Sequence, residues 1–84
     1  MFALSTRRTR AAVDRGLVLH ALPGTGPATA DALAAVVDRP LRQVRRALRV
    51  LHQLSMVRQT EDGTAWEVTR RGREFVDQAQ RAAV

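Results

Sequence analysis

The segment from Arg39 to Leu54 separates its charged and apolar side chains onto two sides of a helix. At about 100° per residue, the arginines fall within an arc of roughly 120° and the apolar residues within a separate arc. The arginines are Arg39, Arg42, Arg45, Arg46 and Arg49, and the apolar residues are Leu41, Val44, Ala47, Leu48, Leu51 and Leu54. This period predicts an amphipathic helix over residues 40–54, with Pro40 in its first turn. Any fold of this chain has to bury the apolar side and leave the arginine side accessible.

The same segment is unbalanced in charge. Residues 39–51 hold five arginines and no acid. Because no Glu lies at i±4, repulsion among these arginines is not relieved inside the helix, and an external negative partner is expected. The alternative is a solvated face in an arginine-biased chain. All fourteen basic residues are Arg, and Lys, Ile, Asn and Tyr are absent. We interpret this as codon bias in a high-GC genome, which an AT-rich source would contradict. Because such a bias makes an arginine run weak evidence, the neighbouring segments decide between a negatively charged partner and a solvated face.

The N-terminal part of the chain predicts two helices before the arginine segment. The first runs over residues 6–22, capped by Ser5 or Thr6 and irregular at Gly16, a poor helix former. Its apolar stripe is formed by Val13, Leu17, Val18, Ala21 and Leu22. The Pro- and Gly-rich residues 23–27 end this helix and form a loop.

A shorter second helix is predicted over residues 30–37. Thr29 is its N-cap, and Asp31 suits the positive end of the helix dipole. Its expected buried face consists of Ala32, Leu33, Val36 and Val37. Asp38 and Arg39 form the turn into the arginine segment.

After the arginine segment the pattern changes to that of a β-hairpin. Residues 56–60 and 65–69 are typical of strands, and Asp62-Gly63 between them is a strong turn signal. Thr69 then caps a last helix over residues 70–83. Its apolar side is formed by Phe75, Val76, Ala79 and Ala83. The predicted fold is mainly α with a small β-hairpin, in the order α-α-α-β-β-α.

Size and composition limit the possible functions. Eighty-four residues form one small domain with little room for a catalytic cleft. The chain has no Cys and a net charge of +6, which favours a polyanionic partner. We expect a cytoplasmic protein, because no apolar run is long enough for a membrane span or a signal peptide. No nucleophile constellation, metal-ligand spacing or phosphate loop is present, so neither catalysis nor a cofactor is expected.

Residues 29–75 resemble the winged helix-turn-helix domains of bacterial transcriptional regulators, the broad class that includes the MarR, ArsR and IclR families. The matching elements are TADALA (29–34), VRRALRVL (44–51), SMV (55–57), EDGTAWEV (61–68) and TRRG (69–72). Each motif is weak, but their order and spacing together are fairly specific. Ser55 departs from the pattern, since Gly usually provides a positive-φ helix exit there. Either Ser55 adopts a strained conformation or the helix ends differently.

The resemblance implies a single winged domain over residues 1–84, in which helix 40–54 enters the major groove and hairpin 56–69 is the wing. The implied DNA-binding residues are Arg39, Arg42, Gln43, Arg45, Arg46, Arg49, Thr29, Arg58, Arg70 and Arg71. Those in the first half of the helix would contact bases, as Arg pairs with guanine and Gln with adenine. Arg39 and Arg49 suit phosphates, and Thr29 would present a helix N-terminus to the backbone. Arg58, and the two arginines after the wing, would reach flanking phosphates.

Trp66, His20 and His52 do not point to a binding or metal site. Trp66 shares a strand face with Val68, so a place at the edge of the core is favoured over base stacking. His20 and His52 lie in different helices, without Cys and with few acids nearby, so a metal site is not favoured. His52 lies beside the arginine arc, and a phosphate contact is the less favoured alternative.

The leading functional hypothesis is a sequence-specific DNA-binding protein, a small transcriptional regulator. A phage or mobile-element architectural or excisionase-like factor is the first alternative. The second is a winged-helix protein-interaction module, which would carry mixed charges on the third helix. Homodimerisation is expected, because such proteins often pair to bind two half-sites. The available apolar surface comes from Phe2, Leu4 and the stripe of the last helix, although that helix would equally pack on the first one.

Overall fold

The computed structural model describes residues 2–83, and the side chains of residues 9–83. Within this range the elements are α1 (Phe2–Thr25), α2 (Ala30–Val37), α3 (Leu41–Gln53), β1 (Val57–Gln59), β2 (Trp66–Val68) and α4 (Arg70–Ala82). The order α-α-α-β-β-α is confirmed, with the layout of a winged helix. None of these helices combines the length and hydropathy that crossing a bilayer would require.

Helix α1 is longer at both ends than the sequence predicts. It begins at Phe2 and continues through Pro23 to Thr25. The predicted caps at Ser5 or Thr6 are therefore wrong, and the predicted loop at 23–27 is correct only for residues 26–27. Pro23 removes one N–H from the helical ladder, and its φ remains compatible with helix. The helix ends two residues later, where Gly26 adopts a φ of 68°. Gly16 does not interrupt α1, so the predicted irregularity is wrong as well.

The other helices match their predicted bounds within one residue. Thr29 and Thr69 are the N-caps of α2 and α4, and their hydroxyls accept hydrogen bonds from the N–H groups of Ala32 and Gly72, each at 3.1 Å. The Thr69 hydroxyl also donates to the carbonyl of Ser55 at 2.6 Å. This bond ties the start of α4 to the end of α3.

The hairpin is a two-stranded antiparallel ribbon. Val57 pairs with Val68, Arg58 with Glu67 and Gln59 with Trp66, and the turn contains Gly63 with a φ of 74°. Ala28 and Trp66 exchange two backbone hydrogen bonds of 2.8 and 2.9 Å. These bonds join the α1–α2 connection to β2, a contact that the sequence did not predict. We call residues 57–68 the wing.

Side chains from every helix and from β1 form the core. Its buried residues are Val18, Leu19, Leu22, Ala28, Leu33, Val44, Ala47, Leu48, Leu51, Val57 and Val76. The predicted apolar side of α3 is confirmed at four positions, whereas Leu41 is half-buried and Leu54 is 46% exposed. Packing alone therefore decides which of the apolar residues on an amphipathic helix reach the interior.

Three of the predicted apolar faces are only partly buried. On α1, Val13 and Leu17 are exposed, and Leu19 is buried in their place. On α2, Leu33 is buried and Val37 half-buried, while Ala32 and Val36 are exposed. The predicted stripes are therefore wrong at these positions, because the packing of neighbouring elements, and not apolar character alone, decides which positions are covered.

On α4, the predicted apolar side is divided between the core and solvent. Val76 is buried, whereas Phe75 is 50% exposed and Ala83 is exposed. The side chains of Phe2 and Leu4 lie outside the described residues. On α4, Phe75 and Ala83 are therefore available to a partner and Val76 is not, and the dimer stays a prediction.

Helix α3 ends in a Schellman motif with serine at the left-handed position. Ser55 has a φ of 62°, and its N–H donates to the carbonyl of His52 at 2.9 Å. The N–H of Met56 donates to the carbonyl of Leu51, also at 2.9 Å. These two bonds define the motif. Ser55 therefore takes the strained conformation that glycine usually adopts.

Replacing Ser55 with glycine is expected to stabilise the protein. The left-handed conformation costs a non-glycine residue about 1–2 kcal/mol. The larger conformational entropy of glycine in the unfolded state offsets roughly 0.5–1 kcal/mol of the gain from relieving this strain. We expect a net gain of about 0.5–1 kcal/mol in the free energy of unfolding, measured by urea denaturation. Ser55→Ala is the control, because it removes the hydroxyl and keeps the strain. An equal gain from Ser55→Ala would show that the backbone conformation is not the cause.

Candidate nucleic-acid interface

Four arginines of α3 form one exposed surface, which we call the arginine face: Arg42, Arg45, Arg46 and Arg49. The opposite side of the helix is anchored in the core by Val44, Ala47, Leu48 and Leu51. Because the core fixes the rotation of α3, the four guanidinium groups are held on the solvent side. The predicted separation of charged and apolar sides is confirmed.

The arginine face has no internal counter-charge. Among residues 9–83, no hydrogen bond or ion pair engages the side chains of these four arginines. Helix α3 carries four arginines and no acid, a formal charge of +4. At the spacing of i, i+3 and i+4, like charges on a helix repel one another by a few tenths of a kcal/mol per pair. An anion bound across this face would relieve that repulsion.

Arg39 is not part of the open arginine face. Its Nε donates to the Oδ1 of Asp14 on α1 at 3.1 Å. The Asp14 side chain is only 13% exposed and that of Arg39 is 41% exposed. The two residues lie 25 positions apart, so a search for acids at i±4 of the helix cannot find this pair. The counter-charge of Arg39 therefore comes from outside the third helix, but from the same chain.

The remaining helix residue of the predicted site, Gln43, is less exposed than the arginine face. It is half-buried and lines a groove between α1 and α3. Arg46 and Arg49 form the α3 wall of the same groove, and Arg10 and Arg15 lie on its α1 wall. Arg10 and Arg15 are not among the residues that the sequence predicts for the site, since only the packing of α1 against α3 brings them to this groove.

The wing has a negative formal charge. Residues 57–68 contain Arg58 and three acids, Glu61, Asp62 and Glu67, which gives −2. Arg58 itself is engaged, because its Nε donates to the Oε1 of its cross-strand partner Glu67 at 2.8 Å. The structure thus places the predicted Arg58 contact beside a carboxylate rather than in an open basic patch.

Asp62 is fixed as an anion at the tip of the wing. Hydrogen bonds from the Thr60 hydroxyl, then from the Thr64 backbone N–H and hydroxyl, hold the pKa of Asp62 below its ordinary value. The three distances lie between 2.6 and 3.1 Å. These bonds favour the charged form, so the tip repels a phosphate backbone at neutral pH.

The last predicted contacts lie at the ends of α2 and α4. The Thr29 hydroxyl is used to cap α2. Arg70 pairs with Glu74 at 3.2 Å on an exposed helix surface, an arrangement that is weak in water. Arg71 has no such partner in the described part of the chain and lies in a depression with Met56 and Phe75. Arg46 and Arg49 therefore share a groove with α1, whereas Arg71 lines a different depression.

His52 and Trp66 contact each other at the edge of the core. Their ring centroids lie 5.7 Å apart in an edge-to-face arrangement, and Trp66 is half-buried against the core. The sequence prediction for Trp66 is confirmed. Over residues 9–83, no cluster of His, Cys, Asp or Glu has the composition of a metal site.

Comparisons with known proteins identify the chain at the level of a family. A family model described as HVO_A0114 matches residues 12–73. Since this match spans more than half of the chain, the chain belongs to the HVO_A0114 family. No curated protein and no solved structure matches it. The resemblance to the MarR, ArsR and IclR class therefore stays a prediction from the sequence motifs.

Proposed function

For this member of the HVO_A0114 family, we propose that it binds double-stranded DNA as a small transcriptional regulator. The observation that carries the proposal is the arginine face, where four arginines without partners among the described residues project from the third helix. This helix follows α2 through a tight turn and precedes the wing. In helix-turn-helix proteins the element at this position enters the major groove, and the role implies a cytoplasmic location.

Charge and shape both support this assignment. The major groove is about 12 Å wide and accepts an α-helix. A helix with a formal charge of +4 and no internal acid gains most from a partner with closely spaced negative charges. Duplex DNA supplies one charge per about 1.7 Å of axis. A protein-interaction surface would instead be expected to mix charges or expose apolar residues, and α3 does neither along the arginine face.

Roles can be proposed for individual residues. Arg42, Arg45 and Arg46 lie in the first half of α3 and are the proposed base contacts, with guanine as the preferred partner. Arg49 is the proposed phosphate contact. Gln43, which lines the groove toward α1, is the proposed contact at the edge of the base-reading surface.

Selection of bound sequences from random duplex DNA tests the proposed regulatory role. A regulator is expected to enrich one motif, and a palindromic motif would support the predicted homodimer. An architectural or excisionase-like factor would enrich DNA that bends easily. Recovery of unchanged random DNA would contradict sequence-specific recognition.

Arg39→Gln is expected to affect folding more than DNA binding. The substitution leaves the Asp14 carboxylate, mostly buried, without its ion-pair partner, and should cost about 1 kcal/mol of stability. We expect the affinity for duplex DNA to change by less than about threefold, a difference under 1 kcal/mol. Urea denaturation and fluorescence anisotropy measure the two effects. A large loss of affinity with unchanged stability would mean that Arg39 contacts DNA directly.

A further inference from the structure

The positive surface around α3 is asymmetric. On the side of the wing, residues 57–68 carry a formal charge of −2, and Arg58 is paired with Glu67. On the side of α1, Arg10 is exposed, Arg15 is half-buried, and neither has an ion-pair partner among the described residues. A polyanion lying across α3 is therefore attracted toward α1 and repelled by the wing.

The groove between α1 and α3 collects this charge. Arg10 and Arg15 line one wall, and Arg46 and Arg49 line the other. The groove also contains Asp14, but its carboxylate accepts a hydrogen bond from Arg39 and is mostly buried. Four arginines thus line one groove whose acid, Asp14, is already engaged.

We propose that the α1 wall of this groove, together with Arg49, holds the phosphate backbone of duplex DNA, so that the DNA footprint extends from α3 over α1 instead of over the wing. The inference rests on the proposed function and specifies which protein surface next to α3 contacts the DNA backbone. Arg10 and Arg15 contact backbone phosphates, and they position the duplex without reading its sequence. The wing acids keep the hairpin from adding a second set of phosphate contacts.

The proposal predicts which arginines set the salt dependence of binding. The logarithm of affinity falls with the logarithm of salt concentration by about 0.9 for each phosphate contact on B-DNA. The double substitution Arg10→Gln/Arg15→Gln in the full chain should therefore reduce the slope by about 1.8. Arg73→Gln/Arg81→Gln is the matched control, because it removes the same charge from two exposed positions of α4 that have no ion-pair partner among residues 9–83. This control is expected to leave the slope nearly unchanged.

Fluorescence anisotropy with a labelled duplex, over a series of NaCl concentrations, measures these slopes, and circular dichroism checks that each variant is folded. Equal slopes for the α1 variant and the α4 control would overturn the groove proposal. A variant with Arg42→Gln/Arg45→Gln separates the two claims, because these residues lie outside the groove. If that variant loses affinity while the α1 variant behaves like the control, DNA binding stands and the groove proposal fails. If the unmodified protein binds no duplex at low salt, the proposed function itself fails.

Discussion

The double substitution Arg42→Gln/Arg45→Gln is expected to weaken duplex DNA binding by about 30-fold or more. An arginine that contacts a guanine typically contributes about 1–3 kcal/mol, and two such losses combine to at least about 2 kcal/mol, since tenfold corresponds to 1.4 kcal/mol. Both side chains are exposed and engage no partner in the described part of the chain. The stability should therefore change by no more than about 0.5 kcal/mol.

Fluorescence anisotropy gives the affinity, and urea denaturation gives the stability. The α4 variant Arg73→Gln/Arg81→Gln again serves as the control, since it lowers the net charge by the same amount. Affinity losses of similar size in the two variants would show that net charge, and not the arginine face, determines binding. A loss confined to the α3 variant supports the assignment of α3 as the recognition helix.

Gly72→Ala is expected to have the largest effect on folding. A Cβ at position 72 would overlap the carbonyl oxygen of Met56 and lie 2.9 Å from the Cγ2 of Val68. The Met56 carbonyl cannot move away without breaking the hydrogen bond that its oxygen accepts from the N–H of Thr69 at 3.0 Å. We expect a loss of roughly 3 kcal/mol, at the upper end of overpacking effects. This is a large part of the stability of a small domain.

Gly16→Ala is the matched control for this prediction. Gly16 also lies in a helix, but nothing lies within 4 Å of the Cβ that alanine would add. Alanine is the better helix former by about 1 kcal/mol, so the same substitution should stabilise the protein here. Urea denaturation of both variants gives the comparison. Gains of stability at both positions would mean that α4 does not approach Met56 as closely as the structure shows.

Local sequence signals predict the elements of this fold well. Thr29 and Thr69 act as N-caps because their hydroxyls accept hydrogen bonds from free N–H groups in the first turn of a helix, only three residues away. The hairpin turn is likewise predictable because it depends on two adjacent residues, Asp62 and Gly63. The arginine face follows from a period of 3.6 residues, which requires no knowledge of the partner elements.

Contacts between distant residues account for what the sequence could not predict. The Asp14–Arg39 pair, the Ala28–Trp66 bridge and the close approach of Gly72 to Met56 each depend on how two elements are packed. The groove that joins Arg10 and Arg15 to α3 has the same origin. Apolar periodicity shows that a helix has a buried side, but the packing of the neighbouring elements decides whether Val13 or Leu19 is buried.

Ser55 shows how a departure from a family pattern can be accommodated. The Schellman bonds around it are present although the residue is not glycine. The hydrogen bond from Thr69 to the Ser55 carbonyl holds this corner against α4. The helix exit, and with it the placement of the wing relative to α3, is therefore maintained at the cost of local strain.

The central claim is that the arginine face binds duplex DNA through ionic contacts. The most direct test is the affinity of the unmodified protein for a labelled duplex of about 20 base pairs, measured by anisotropy between roughly 50 and 200 mM NaCl, the range over which phosphate contacts strongly affect binding. The phosphate contacts proposed for Arg49, Arg10 and Arg15 predict a slope of log affinity against log salt of about −2.7 or steeper. No binding at the lowest salt concentration, or an affinity independent of salt, would contradict the account.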